Sequence, residues 1–118
     1  MFMQYQITSD NIDLSPSMEA LTKEKFERIE GRVKHLPEGS CFARVVLNSV
    51  PEDQFEVKVN LDLSGKEYFS DEIAYTLENA LVEVVEELLQ MIEKDSIVQR
   101  RKDMQVEDDV EKFLAEEA

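Results

Sequence analysis

Hydrophobic and polar positions along this chain repeat with two periods, and the changes between them mark six elements. Met3, Tyr5 and Ile7 alternate with Gln4 and Gln6, the two-residue period of a half-buried strand. Ser9-Asp10-Asn11 follows, and such short polar side chains bond nearby backbone, so a turn is expected. Ser15-Pro16 then opens a helix, with a good N-cap before a residue that needs no amide donor. Met18, Leu21, Phe26, Ile29, Val33 and Leu36 recur at spacings of three to five, until Pro37-Glu38-Gly39 ends the pattern. Gly31 lowers the helical propensity of this stretch by roughly 1 kcal/mol relative to alanine, a tolerable cost.

From Cys41 to Leu47 the chain is β-branched and apolar, a second strand broken by Val50-Pro51-Glu52-Asp53. The clearest strand comes next. Phe55, Val57, Val59, Leu61 and Leu63 share one face, and Glu56, Lys58, Asn60 and Asp62 the other. Ser64-Gly65-Lys66 reads as a hairpin turn. Asp71-Glu72 would suit a helix start, but the hairpin needs a partner strand, so residues 67–75 are assigned as the fourth strand. From about Thr76 to Gln99, Leu77, Ala80, Leu81, Val84, Val85, Leu88 and Ile92 follow a helical period.

The order β-α-β-β-β-α predicts an α+β, two-layer sandwich, with a sheet of three or four strands covered on one face by two helices. Glu56, Lys58, Asn60 and Asp62 would then face water. Residues 1–99 are expected to form the domain. Residues 100–118 are expected to be a basic junction and an acidic tail, flexible or weakly helical, from which Val110, Phe113 and Leu114 offer a short amphipathic piece for docking.

Charge changes this picture most. The net charge is −14, from 27 acids against 13 Lys plus Arg. Eight of those thirteen cations sit in two clusters: Lys23, Lys25, Arg28, Arg32 and Lys34 on the first helix, and the consecutive Arg100, Arg101 and Lys102. The protein as a whole repels a polyanion, so any nucleic acid must approach through one local face. A single cysteine, Cys41, permits no internal disulfide and fits a cytoplasmic protein. The chain has no apolar run of membrane-spanning length, and the N-terminal residues lack the features of a signal peptide.

Catalytic chemistry has little to build on. His35 is the one histidine and is expected as an exposed cation at the end of the first helix. Cys41 has no second histidine to pair with and reads as a small buried hydrophobe. The three glycines are isolated, so no phosphate-cradling loop is present. Acid pairs such as Glu86-Glu87 and Asp108-Asp109 lack the ligand order of a calcium loop and read as solvated faces. No enzyme, cofactor or metal site is expected.

Ile7-Thr8-Ser9, then Ile12-Asp13-Leu14-Ser15-Pro16 leading into Met18, Lys25, Phe26, Arg28, Ile29 and Glu30, resemble the ribosome hibernation promoting factor and ribosome-associated inhibitor A family. His35-Leu36, Ala80-Leu81, Glu83-Val84-Val85, Leu88, Lys94 and the Arg100-Arg101 junction before an acidic tail extend the likeness over residues 3–102. It is similar to the short, single-domain type, without the second domain through which long members dimerise, so a monomer is expected. The resemblance implies a fold like that of double-stranded-RNA-binding domains. It also implies a non-catalytic inhibitor of translation in stressed or stationary-phase cells, docked in the decoding region of the small ribosomal subunit. Ribosomal RNA, with basic ribosomal proteins beside it, would be the partner; DNA and membranes would not. By position, Lys25 and Arg28 on the first helix, Lys94 on the second, and Arg100 and Arg101 would meet RNA phosphates. Arg32 shares the first-helix face by its spacing, and Lys102 extends the junction.

Two features keep other readings open. Lys25, Arg28 and Arg32 also stand at pairing distance from Glu24, Glu27 and Glu30 within their own helix. The second helix is acidic where relatives are basic: residues 76–94 hold five acids and one lysine, a net of −4. The rival reading is therefore a protein-interaction module of the same fold that turns this acidic helix to a basic partner and no longer binds RNA.

Overall fold

The computed structural model describes the backbone of residues 3–112 and the side chains of residues 3–95. Six elements run in the expected order: β1 (Gln4–Thr8), α1 (Pro16–Arg32), β2 (Cys41–Val50), β3 (Gln54–Leu63), β4 (Lys66–Ala74) and α2 (Leu77–Lys112). The strands form one four-stranded sheet in the order β1-β2-β3-β4. β1 lies parallel to β2, joined to it through α1, and the other pairs are antiparallel hairpins.

Turn chemistry sets both hairpins. Leu63 faces Lys66 across Ser64 and Gly65, whose φ values of 56° and 93° are the left-handed pair that matches strand twist in a two-residue loop. Gly65 N–H donates to Asp62 Oδ1 at 2.9 Å. In the β2–β3 hairpin, Glu52 and Asp53 also take positive φ, and pairing continues to Val50 against Gln54. β2 thus runs three residues beyond the Leu47 end that composition suggests, because β3 supplies hydrogen-bond partners that outweigh local breaker signals.

Helix ends follow their caps. Ser15 accepts a hydrogen bond from Met18 N–H at 3.2 Å, with Pro16 at the first helical position. Thr76 caps α2 through Asn79 N–H at 3.0 Å. α1 stops at Arg32, so Val33 and Leu36 belong to the turn after it; Val33 is still buried, which is why it fits the apolar period. α2 continues past Gln99, through Arg100-Arg101-Lys102 and on to Lys112, farther than the apolar period carries it. Strong helix formers such as Gln, Arg, Lys, Met and Glu fill that extension.

One core joins the layers. Cys41, Ala43, Val45 and Leu47 from β2 and Val57, Val59, Leu61 and Leu63 from β3 meet Phe26 and Ile29 of α1 and Leu81, Val84, Val85 and Leu88 of α2. Cys41 is a free, buried thiol within it. Over the β1 side, the Tyr5 and Phe26 rings pack edge to face at 5.8 Å, and Tyr5 Oη donates to Glu30. Burial, then that hydrogen bond, pushes the Tyr5 phenol well above its ordinary range, so it remains a donor.

The loop between β1 and α1 is tied to the end of β2. Asn48, buried, accepts from Asp10 N–H at 2.9 Å, while Asn11 exchanges hydrogen bonds of 2.9 Å with both backbone groups of Ser49. Ser9 Oγ accepts from Ile12 N–H at 2.8 Å. This clamp fixes where α1 begins, and with it the rotation of the α1 surface.

Candidate nucleic-acid interface

α1 and α2 lie side by side on the same face of the sheet, and their outward charges meet. Lys25 Nζ stands 3.0 Å from Glu78, Arg28 3.8 Å from Glu86 and Arg32 2.7 Å from Glu93. The pairs ascend together along both helices, so the helices run in the same direction. On α1 the cations are three and four residues apart, and on α2 the acids are eight and seven apart; each set forms one stripe.

The cations that spacing gathers on one side of α1 are therefore gathered in space. In the free protein their ion pairs are with carboxylates of the second helix, while Glu24 of the same helix adds a weaker charge effect on Lys25. The signal was present in the sequence as a regular stripe of acids on α2, but it required knowing that the two helices pack in parallel.

Electrostatics here concern access more than stability. At least one partner in each pair is more than half exposed, so each pair contributes about 0–1 kcal/mol. Hydrogen bonding to Glu78 is the leading cause that raises the Lys25 pKa, which keeps it charged. A phosphate approaching α1 meets three cations, each with a carboxylate beside it.

Among the remaining candidates, Lys94 is exposed beside Glu93 and joins no ion pair among the described side chains. Arg100, Arg101 and Lys102 lie on the helical backbone of α2, but their side chains fall outside the described residues. His35 is exposed just beyond α1, on the wall of a groove of about 620 Å³ that also touches Arg32, Lys66, Glu93 and Asp95. The long cations of this groove are already engaged. Lys66 lies 2.8 Å from Asp95, which also accepts from Tyr68 Oη at 2.8 Å. Lys66, then Tyr68, hold the Asp95 carboxyl below its ordinary range; burial, then Asp95, pushes Tyr68 up to about 12. Among the described residues no group of three or more His, Cys, Asp or Glu side chains is arranged to hold a metal ion.

A second acidic contact joins α2 to β4. Ser70 Oγ donates to Glu87, and the hydrogen bond between Glu72 and Glu87 is the main cause raising the Glu72 pKa, ahead of burial and the charges of Glu87, Glu83 and Asp71. A carboxyl whose folded pKa is raised contributes stability that is full below its unfolded value, about 4.3, and is lost as pH rises through the folded value. Glu72→Gln should therefore melt a few degrees higher than the parent at pH 7, and the difference should close near pH 4. Thermal melts across that range check it, and equal midpoints at pH 7 would refute it.

The fold has close relatives in shape. The N-terminal domain of Thermus thermophilus Protein Y superposes with a TM-score of 0.65 at 18% identity, covering 80% of this chain and 98% of that one. A ribosomal subunit interface protein from Coxiella burnetii superposes with a TM-score of 0.65 at 16% identity, covering 80% of this chain and 99% of its own. No curated protein sequence matches the chain significantly. Residues 5–96, from the start of β1 to the middle of α2, match the family described as Sigma 54 modulation protein / S30EA ribosomal protein, and the chain belongs to that family.

Proposed function

We propose that the protein is a non-catalytic, ribosome-associated inhibitor of translation that docks on the small subunit in its decoding region. The α1 stripe of Lys25, Arg28 and Arg32 would lie against ribosomal RNA phosphates. The observation that carries this reading is the stripe itself, three cations on one exposed helix edge within a fold of this family. RNA in a structured groove is recognised through shape and phosphate contacts, for which helix-borne Lys and Arg suffice. The Coxiella burnetii neighbour is named for the ribosomal subunit interface, which supports the same site class. Lys94, Arg100, Arg101 and Lys102 would extend the contact along α2, with residues 100–118 as a basic junction and acidic tail beyond the domain of residues 1–99.

In this reading the acids of α2 set the strength of binding. RNA phosphates must displace Glu78, Glu86 and Glu93 from their partners, so association is weaker and less dependent on salt than a bare basic helix would give. Basic ribosomal proteins near the site would offset the displaced carboxylates.

Co-sedimentation with purified small subunits over a series of salt concentrations tests the proposal. Binding is expected at about 50 mM salt, falling steeply as salt rises. Lys25→Glu combined with Arg28→Glu should weaken it by more than about 100-fold, equivalent to several kcal/mol, with the fold checked by circular dichroism. No co-sedimentation at about 50 mM salt would overturn the ribosomal reading and favour the interaction module. Unchanged binding by the double variant would remove α1 from the RNA contact.

A further inference from the structure

The helix-free face of the sheet carries a second pattern, on β4. Among the described residues the exposed large hydrophobics are Phe69 at 56%, Ile73 at 48% and Tyr75 at 67%. Phe69 and Ile73 lie on the open face of β4, and Tyr75 follows immediately after the strand. Their neighbours on that face are Glu67 and Asp71, so the exposed row reads acid, apolar, acid, apolar, tyrosine. β4 is also an edge. It pairs only with β3, and no other hydrogen bond reaches its backbone among the described residues. The opposite edge, β1, is shorter and shows Gln4, Gln6 and Thr8 on this face.

We propose that the β4 edge binds an extended basic peptide segment, which adds as a fifth strand with basic and apolar residues alternating on its open face. Backbone groups of β4 would supply the ladder, and facing side-chain pairs the selectivity. A cation opposite Glu67 and another opposite Asp71 place apolar side chains opposite Phe69 and Ile73. Register on β3 deepens the preference: Asp62 stands beside Glu67 and Glu56 beside Ile73, while Lys58 beside Asp71 is the one cation of β3.

The same charges argue against a second copy. Antiparallel self-pairing that sets Phe69 against Ile73 of the other copy sets Asp71 against Asp71, between molecules that each carry −14. Nucleic acid would meet this acidic row with Lys58 beside it and only Arg44, two strands away on the same face, as a further cation. A basic segment turns every one of these repulsions into attraction. The site is separate from the α1 stripe, so it stands whether or not the protein binds ribosomes.

The test uses the full chain and an acetylated, amidated peptide, Lys-Thr-Val-Thr-Lys-Thr-Val-Thr-Lys, followed by amide chemical shifts. Shifts are expected to concentrate on Lys66–Ala74 and to weaken as salt rises. Replacing the two threonines beside the central lysine by proline, which cannot donate to a ladder, should weaken binding at least tenfold. So should Phe69→Ser combined with Ile73→Thr, two exposed changes that leave the core intact. Equal binding of the proline peptide, equal binding of a peptide with glutamate in place of lysine, or shifts centred on the acids of α2 would each overturn the proposal. So would absence of binding at about 50 mM salt. Two further results would overturn it in favour of other occupants: dimerisation abolished by the Phe69/Ile73 variant without peptide binding, and oligouridylate giving the same β4 shifts.

Discussion

Truncating Phe26 to alanine should lower the thermal midpoint by about 12–20 °C. Phe26 is fully buried and meets the Tyr5 ring edge to face at 86°, at the point where α1 seals the β1 side of the core. Removing a buried phenylalanine costs about 3–5 kcal/mol in transfer and cavity terms. A domain of this size loses about 4 °C per kcal/mol. The consequence reaches the interface, because the same turn of α1 carries Lys25 and Arg28, so the variant should also bind small subunits less well as its native fraction falls. Phe26→Leu, which refills most of the volume, should cost about 1.5 kcal/mol or less. Calorimetry of both variants is the measurement. A fall below about 4 °C for Phe26→Ala would mean that α1 is held by its caps and loop clamp instead of this packing.

Local rules that act over a few residues made most of the fold legible. The alternation from Phe55 to Leu63 describes β3, Ser15-Pro16 starts α1, and Ser64-Gly65 turns the sheet back into β4, all as the residues themselves dictate. What local rules missed depended on partners. β2 extends to Val50 because Gln54 pairs with it. Val33 looks helical because it is buried, although α1 has already ended. The candidate site divides in the same way. The spacing of Lys25, Arg28 and Arg32 fixes their common side of α1, but their partners Glu78, Glu86 and Glu93 come from an element far along the chain. Only packing two helices in parallel on one sheet face brings those stripes together. The acidic second helix thus looked like lost RNA contacts, whereas in the fold it is also the counter-charge of the first.

Under the proposed docking, that counter-charge gives the largest expected gain in binding. Replacing Glu78, Glu86 and Glu93 together by glutamine should tighten association with the small subunit by about 10–100-fold. Three exposed pairs at about 0.5 kcal/mol each hold back roughly 1.5 kcal/mol, or about tenfold. Removing three carboxylates from beside the approaching phosphates adds the rest. The dependence of affinity on salt should steepen, since each cation freed for a phosphate adds about 0.7–0.9 to the slope of log affinity against log salt. Folding should change little, because the lost pairs are weak and the net charge falls in magnitude from −14 to −11. Bulk charge is controlled by Glu52→Gln, Glu56→Gln and Glu67→Gln, a triple change of the same size away from α1. If both triples tighten binding equally, the helix stripe has no special part in it. If the Glu78/Glu86/Glu93 variant binds no better than the parent, phosphates do not approach α1 at all. Tightening confined to that variant would make α2 a built-in competitor that sets how firmly this protein holds RNA.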